Sequence, residues 1–291
     1  MEITKAIIPV AGKGTRFLPA TKETPKEMLP ILNIPMIQYV VEEAVDSGIK
    51  EIIFVTSSGK ESIENYFDIN KELEVFLKNV GKEELYKQIN KIGLLVSVQT
   101  VRQKEQLGLG HAVLMGKSFI NKGESFAVLL GDDIIINSNP VTKQLVEVSK
   151  KYNNSSVIGV MNVPKEKTSK YGIVAGKEVA DKTLHMEKMV EKPKPEDAPT
   201  TLATPGRYIL NQEIFAILEE IPRGAGGEYQ LTDAINLLAQ RGEVYAYEFE
   251  GKRYDTGSLE GYLSATIDFA LEREDLKDFA KEYIINKAKE L

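Results

Sequence analysis

The chain has 291 residues, of which 42% are hydrophobic and 27% are charged, and its formal net charge is −6. This mixture is typical of a globular protein with a substantial core, and it excludes a disordered or fibrous chain. The acidic balance argues against an extended nucleic-acid surface, and the lack of Cys excludes disulfides, thiolate metal sites and Cys nucleophiles.

The sequence also bears on location and metal chemistry. No stretch approaches the ~18 apolar residues of a membrane span, and the first residues run directly into an apolar strand rather than a signal peptide. We therefore expect a cytoplasmic protein with no membrane or nucleic-acid partner. A multi-His metal site is not expected, because the only His residues are His111 and His185.

The first half of the chain alternates between strand and helix patterns. Residues 5–10 and 51–56 are short apolar runs, and residues 34–47 between them have an apolar face at helical spacing. This order predicts a βαβ unit with parallel strands and a right-handed crossover. Residues 60–92 are charged and helical in pattern, which predicts a helical insertion. Further strands are predicted at 94–101, 125–130 and 156–161, and a helix at 108–118.

The second half has a more mixed pattern. Strands are predicted at 171–174, 185–190, 207–210 and 243–250, and helices at 212–220, 231–240, 258–273 and 275–289. A Pro-rich loop is predicted at 192–199. The whole order predicts an α/β fold that is Rossmann-like, with a mixed, mostly parallel sheet flanked by helices. The last two helices are expected to pack on the body or on another subunit.

A long loop follows the first strand, at the end where open α/β sheets bind ligands. It begins Ala11-Gly12-Lys13-Gly14-Thr15-Arg16, in which Gly lets backbone N–H groups approach a phosphate and a cation adds charge. It is neither a Rossmann fingerprint, because Phe17 stands where the third Gly belongs, nor a Walker A loop. It continues into Pro25-Lys26-Glu27-Met28-Leu29-Pro30, where an ordinary βα unit would begin its helix.

Later segments carry side chains suited to a base, a metal and a sugar phosphate. The amide of Gln103 can match part of the uracil edge, and Gly108 would let the backbone lie against the base. Asp132 follows an apolar strand, and its carboxylate is a ligand that Mg²⁺ prefers. Glu191 can accept from sugar hydroxyls while Lys192 offers a charge to a phosphate. Taken singly, each also fits a turn, a cap or a solvated strand end.

Taken together and in this order, the segments resemble the signature of the sugar-nucleotide pyrophosphorylases, which join a sugar 1-phosphate to a nucleotide. The resemblance extends from Ala6 to about Tyr262, and only Lys13 departs from the residue type that related enzymes often have there. The ending at 25–30 is most similar to the bacterial members that use UTP and glucose 1-phosphate. The resemblance implies transfer of a uridylyl group from UTP to α-D-glucose 1-phosphate, giving UDP-glucose and pyrophosphate. It also implies Mg²⁺ as cofactor and a homo-oligomer, either a dimer or a tetramer.

The resemblance also implies roles for single residues. The expected catalytic residues are Arg16 and Lys26 over the triphosphate, Asp132 on the metal and Lys192 on the attacking phosphate. The expected nucleotide contacts are Ala11, Gly12, Gly14, Glu27, Gln103 and Gly108. Glucose is assigned to Gly172 and Glu191, and Asp255, which also follows a strand, is expected to complete the metal site with Asp132. His111 is expected to position the loop rather than to do chemistry.

The same resemblance suggests how the chain is organised. Residues 1–257 would form the nucleotidyltransferase domain, with a nucleotide half at about 1–135 and a sugar-phosphate half at about 136–257. Residues 258–291 would form C-terminal helices that make packing or oligomer contacts.

Three alternatives stay open. A glucose-1-phosphate thymidylyltransferase would keep nearly every motif. A non-catalytic sugar-nucleotide sensor should lose Asp132 or Lys192, and both are present. A structural paralogue that acts by partner binding would need neither of them.

Overall fold

The structure, a computed structural model, describes residues 2–242 and 244–291, apart from the side chain of Ala225. The first half alternates strands and helices as the sequence predicts. Its elements are β1 (Lys5–Pro9), β2 (Pro30–Ile31), β3 (Ile34–Pro35), α1 (Met36–Asp46), β4 (Glu51–Thr56), α2 (Glu61–Phe67), α3 (Lys71–Asn79), α4 (Glu83–Gly93), β5 (Ser97–Arg102), α5 (Leu109–Met115) and β6 (Ser125–Leu129).

The second half contains more strands than its sequence pattern indicated. Its elements are β7 (Asp133–Ile136), α6 (Val141–Lys151), β8 (Ser156–Asn162), β9 (Gly172–Ala180), β10 (Thr183–Glu191), β11 (Leu202–Thr204), β12 (Arg207–Asn211), α7 (Ile214–Glu220), α8 (Leu231–Ala239), β13 (Val244–Glu248), β14 (Lys252–Asp255), α9 (Leu259–Glu272) and α10 (Lys277–Ala288). The strand predicted at 243–250 is thus β13, and Glu243 itself lies outside the described residues.

The predicted mixed α/β fold with a central sheet is confirmed. Ten of the described strands form one large sheet in the order β11-β9-β10-β13-β8-β12-β6-β1-β4-β5, and β2 pairs with β3 in a separate two-stranded sheet. Strands β6, β1, β4 and β5 are parallel neighbours. The prediction of a mostly parallel sheet is wrong for the rest of the sheet, where only β8 and β13 pair in parallel among the described strands. Strands β9 and β10 form an antiparallel hairpin, and β12 runs antiparallel to β6 and β8. A tight turn can join only antiparallel strands, whereas parallel strands need a long crossover.

Strands β1, β4 and β6 are buried on both faces, which explains why they read as continuous apolar runs, whereas β5 at the edge of the sheet is largely exposed. Ile7 and Val55 belong to the core on one face of the sheet, while Ile8 and Phe54 belong to the core on the other. Among the described residues, no helix is long and apolar enough to cross a membrane.

A small second sheet forms beside the large one and was not predicted. Strand β14 pairs antiparallel with β7, and the register sets Asp255 opposite Asp133. The pairing therefore brings a residue from near the C-terminal helices beside the strand end that carries Asp132.

A buried ion pair joins three parts of the chain beneath this strand end. Arg207 on β12 is 0% exposed, and its Nη2 donates to Glu43 on α1 at 2.8 Å and to the Asp133 carbonyl at 2.5 Å. Glu43 also accepts from the backbone N–H and the hydroxyl of Thr142 on α6. Every charge in this cluster is therefore paired and hydrogen-bonded, which a buried charge requires.

We predict that Glu43→Gln destabilises the protein by about 3–5 kcal/mol, because it leaves the Arg207 charge buried without its counter-ion. Urea unfolding measures the free energy of unfolding. Lys87→Ala is the matched control, since it breaks the exposed Lys87–Glu84 pair and should cost at most about 1 kcal/mol. Equal effects of the two substitutions would contradict the structural role of the buried pair.

Candidate active site

The candidate site lies at the edge of the sheet where the parallel strands end. Because β6, β1, β4 and β5 are parallel, their carboxyl ends meet at one edge. Ala11, Ser57, Gln103 and Asp132 each lie one to three residues beyond the last residue of one of these strands. The fold therefore brings together segments that are more than a hundred residues apart in sequence.

A cleft of about 880 Å³ opens on the β1, β4 and β5 side of this edge. Its lining includes Gly12, Lys13, Thr24, Pro25, Ser57, Lys60, Gln103 and Gln106. The Ala11 carbonyl is tied to two of these segments, because it accepts from Gln106 Nε2 at 2.6 Å and from Ser57 Oγ at 3.2 Å. The start of the Gly-rich loop is thus held against the ends of the neighbouring strands.

The rest of the Gly-rich loop folds into short 3-10 turns. Gly14 has a left-handed φ of 63°, and its carbonyl accepts from the Thr21 hydroxyl at 2.7 Å. Glu27 is buried and pairs with Lys60, which is also buried, at 2.7 Å. The Glu27 side chain is therefore directed into the protein. Its contact with a nucleotide stays a prediction, and the burial argues against it because the carboxylate is occupied by Lys60.

The side chain of Gln103 lies at the wall of the first cleft and is only 5% exposed. Its Nε2 donates to the Gly108 carbonyl at 3.2 Å and lies 2.9 Å from His111 Nδ1. Gly108 has φ +99°, and a Cβ there would meet the Glu228 Cβ at 2.7 Å. The turn therefore needs Gly for its conformation and for its close approach to the segment before α8.

Asp132 lies beside Lys26, one of the two cations expected over the triphosphate. Lys26 Nζ is 2.5 Å from Asp132 Oδ2, and the Asp132 carbonyl accepts from the Thr256 hydroxyl at 2.7 Å. Arg16 Nη1 donates to the Gly257 carbonyl at 3.3 Å. The structure thus brings the predicted residues Arg16, Lys26 and Asp132 to one place, next to the loop that follows β14.

The charges at this place act on one another. Burial by itself would raise the pKa of Asp132, but the charge and the hydrogen bond of Lys26, helped by Arg16, hold that pKa below its usual value. Burial likewise opposes protonation of Lys26, yet Asp132 and Glu27 raise the pKa of its ammonium. Both groups therefore remain charged at neutral pH.

The second predicted metal ligand, Asp255, shares a small space with Asp132. The position that a Cβ of Gly257 would occupy is 2.5 Å from Asp132 Oδ2 and 3.4 Å from Asp255 Oδ1. Among the described residues, no group of three or more His, Cys, Asp or Glu could hold a metal. A pair of carboxylates still fits Mg²⁺, which commonly binds one or two carboxylates together with substrate phosphates and water.

A second cleft of about 860 Å³ is lined by Asp132 and extends towards β9 and β10. Gly172 begins β9 and pairs with Glu191 at the end of β10. Glu191 accepts from the Thr232 hydroxyl at 2.6 Å, and Lys192 Nζ lies 3.6 Å from its carboxylate. The backbone of Lys192 has a φ of 44°, which is uncommon outside Gly and often marks functional sites.

The site also contains residues that the sequence did not single out. Arg253 on β14 binds both carboxylate oxygens of Asp133, at 2.5 and 2.7 Å, and donates to the Tyr171 hydroxyl at 2.8 Å. Lys60 likewise donates a hydrogen bond to Glu27, and Thr232 donates one to Glu191. No motif marks these supports, because each is defined by a partner that is distant in sequence.

Comparisons with known proteins agree with this arrangement. The profile of the nucleotidyl transferase family matches residues 5–271. A UTP–glucose-1-phosphate uridylyltransferase of Staphylococcus epidermidis is 50% identical over 285 residues, which cover 97% of this chain and 98% of the relative. One of Bacillus subtilis is 49% identical over 277 residues, which cover 95% and 94%.

Solved structures show the same likeness. A UDP-glucose pyrophosphorylase complexed with UDP-glucose is 43% identical, with a TM-score of 0.86, over 94% of this chain and 100% of that chain. The UTP-bound UGPase of Acinetobacter baumannii is 42% identical, with a TM-score of 0.90, over 98% and 99%.

We predict that Gly257→Ala weakens binding of Mg²⁺ together with a nucleoside triphosphate by about tenfold or more, because the new Cβ would displace the Asp132 carboxylate by its 2.5 Å contact. Isothermal titration calorimetry measures the binding. The melting temperature serves as the control for folding. Unchanged affinity would show that the space between the two carboxylates is not used by the metal.

Proposed function

The chain belongs to the nucleotidyl transferase family, and on that premise we propose that it transfers the uridylyl group of UTP to α-D-glucose 1-phosphate, giving UDP-glucose and pyrophosphate. Relatives that share half of their residues with this chain over nearly the whole length bear the name of this activity. The observation that carries the proposal is the contact of Asp132, which lines the second cleft, with Lys26, which directly follows Thr24 and Pro25 of the first cleft. We propose that the first cleft binds the nucleotide and the second the sugar phosphate.

The first cleft suits the nucleotide. Gly12 and Lys13 of the Gly-rich loop line this cleft, where their backbone N–H groups can meet a triphosphate, and Gln103 offers its side chain to a base. Gly108 is held next to Gln103 by a hydrogen bond, and Arg16 lies beside Asp132 in the second cleft. We propose Ala11, Gly12 and Gly14 as backbone contacts of the nucleotide. Helix-like turns and Gly loops bind phosphates in this way because their N–H groups are not used by the fold.

The second cleft suits glucose 1-phosphate. Glu191 accepts from Thr232 through one oxygen, Oε2, which leaves Oε1 able to accept from a sugar hydroxyl. Lys192 is exposed, with 64% of its side chain accessible, so its ammonium can reach a phosphate in the cleft. Gly172 also lines this cleft, and its lack of a side chain lets Met189 pack against it, because a Cβ there would meet Met189 Cε at 2.2 Å. We propose that Gly172 contacts the sugar through its backbone.

These groups are sufficient for one in-line displacement. A phosphate oxygen of glucose 1-phosphate forms a bond to the α-phosphorus of UTP, the α–β phosphoanhydride bond breaks, and pyrophosphate leaves. The attacking oxygen is already an anion at neutral pH, so no general base is needed. The protein positions the two phosphates and neutralises their charge through Arg16, Lys26 and Lys192.

The residues present also fit Mg²⁺ as the cofactor. Asp132 and Asp255 would hold the ion, which when bound supplies positive charge against the triphosphate oxygens. Lys26 keeps Asp132 ionised, as a metal ligand must be.

We further propose a cytoplasmic homo-oligomer. Large apolar side chains are exposed on α9 and α10, including Leu259, Leu263, Phe279 and Tyr283. Contact with another copy of the chain would cover these side chains. Sedimentation of the intact chain measures its oligomeric state, and a purely monomeric species would contradict the proposal.

Each alternative predicts a different result in one assay. The four common ribonucleoside triphosphates and dTTP, each with glucose 1-phosphate and Mg²⁺, are compared by release of pyrophosphate. The proposed enzyme should prefer UTP, a thymidylyltransferase should prefer dTTP, and a sensor or a structural paralogue should release none. The presence of both Asp132 and Lys192 argues against the sensor.

We predict that Asp132→Asn lowers kcat by roughly 10²-fold or more while the fold remains intact, because a bound Mg²⁺ contributes several kcal/mol of charge stabilisation. Initial rates at saturating substrates and Mg²⁺ measure this. The exposed Asp46 offers a matched control, and Asp46→Asn should leave kcat unchanged. Near-normal turnover of Asp132→Asn would remove Asp132 from the mechanism.

We predict separate effects for the two residues at the end of β10. Lys192→Ala should lower kcat, because a cation near the transferring group acts mainly in the transition state. Glu191→Ala should chiefly raise KM for glucose 1-phosphate and weaken the preference among sugar epimers. Lys194→Ala, on the exposed loop that follows, should change neither constant. If both variants changed only KM for UTP, the assigned roles would be wrong.

A further inference from the structure

The amide of Gln103 has one orientation that satisfies its neighbours. Two protein atoms lie close to its Nε2, the Gly108 carbonyl oxygen at 3.2 Å and His111 Nδ1 at 2.9 Å. A carbonyl oxygen can only accept, so the amide group that faces Gly108 must be the NH₂ group. The two N–H bonds of this group are then both directed at the protein, one to each neighbour.

The amide oxygen of Gln103 is consequently left for a ligand. Among the described residues, no protein donor binds this oxygen. It is also not one of the buried side-chain atoms that lack a hydrogen-bond partner, which are Thr204 Oγ1 and Asn211 Oδ1. Gln103 itself lines the first cleft, whereas His111 does not. The group that Gln103 offers to the cleft is therefore a hydrogen-bond acceptor.

His111 can hold this orientation only as a neutral ring. Its Nδ1 must accept from the amide, which places the ring proton on Nε2. Partial burial lowers the pKa of His111, with Arg223 acting in the same direction and Glu105 against it, so the neutral form prevails at neutral pH. The ring stacks on Tyr229, with centroids 6.1 Å apart and an interplanar angle of 29°, which fixes the direction of Nδ1.

We propose that His111 is a positioning residue for base selection: it holds the Gln103 amide so that an acceptor faces the base, and thereby favours uracil over cytosine. The proposal rests on the proposed function, in which this cleft binds UTP. Uracil carries an N–H at ring position 3, which can donate to the Gln103 oxygen. Cytosine has an unprotonated nitrogen at that position, so two acceptors would face each other.

The test compares kcat/KM for UTP and CTP, each with glucose 1-phosphate and Mg²⁺, in the wild type and in single variants of the full chain. His111→Phe keeps an aromatic ring against Tyr229 and removes the acceptor. One amide N–H of Gln103 then lacks a partner, and the side chain is free to turn that N–H towards the base. We expect the UTP-over-CTP ratio to fall by about tenfold or more, since one hydrogen bond is removed from the group that reads the base.

Two further variants separate positioning from general damage. In His111→Asn the side-chain oxygen can replace Nδ1 as the acceptor, so this variant should restore the ratio towards the wild-type value. His185→Phe changes the other His of the chain, which lies near Tyr245 and Gly242, and should leave the ratio unchanged. Because the ratio compares two substrates on the same preparation, it does not depend on how much of a variant is correctly folded.

The outcomes distinguish this inference from the proposed function. A wild type that prefers UTP, together with a low ratio in His111→Phe and a restored ratio in His111→Asn, supports the positioning role. A wild type that prefers UTP and keeps its ratio in His111→Phe overturns it, and the Gly108 carbonyl alone would then orient Gln103. Equal losses in Phe and Asn variants would also overturn it, since the acceptor would not be the relevant feature. A wild type without preference for UTP would overturn the proposed function itself.

Discussion

The arrangement of the site depends on one buried ion pair, that of Arg207 with Glu43. The Arg207 guanidinium donates to Glu43 and to the backbone carbonyls of Leu130, Asp133 and Gly206. It thus holds the chain on both sides of Asp132, the residue at the centre of the proposed chemistry. Buried charges interact strongly because little water screens them. They are tolerated in the interior only if every donor and acceptor is satisfied. Helix α1, strand β12 and the end of β6 must therefore be in place together before the carboxylate is correctly directed.

A second guanidinium extends this support towards the sugar cleft. Arg253 binds the Asp133 carboxylate through two donors and reaches the Tyr171 hydroxyl with a third. Tyr171 directly precedes Gly172, and its carbonyl accepts from the backbone N–H of Lys192 at 3.0 Å. Residues on either side of the proposed reacting phosphates are consequently linked through the backbone and through Arg253. Such support is what keeps reacting groups within the small tolerance that positioning requires.

The sequence predicted the parts of this protein that are local in the chain. The βαβ unit and the helices at 61–93 follow from apolar spacing within single segments, and Asp132 and the Gly-rich loop are recognisable because they follow a strand directly. The strand that ends at Asp255 was expected, but β7 and its pairing with β14 were missed, because both strands are short and are stabilised by each other across more than a hundred residues. For the same reason nothing in the sequence connected Arg207 with Glu43 or Lys60 with Glu27. Partners of this kind are chosen by the completed fold and leave no periodic pattern.

The Glu27–Lys60 pair constrains how this protein could exchange parts with its relatives. Lys60 lies at the start of the helical segment that follows β4, whereas Glu27 belongs to the Gly-rich loop after β1, and both side chains are buried. Grafting the helical segment of another protein onto this scaffold would therefore import or delete one member of a charge pair. A chimera would tolerate the exchange only if the two positions were transferred as a unit. A single substitution at either position during evolution would leave a buried charge without its partner. Substitutions at these two positions should therefore arise together rather than singly.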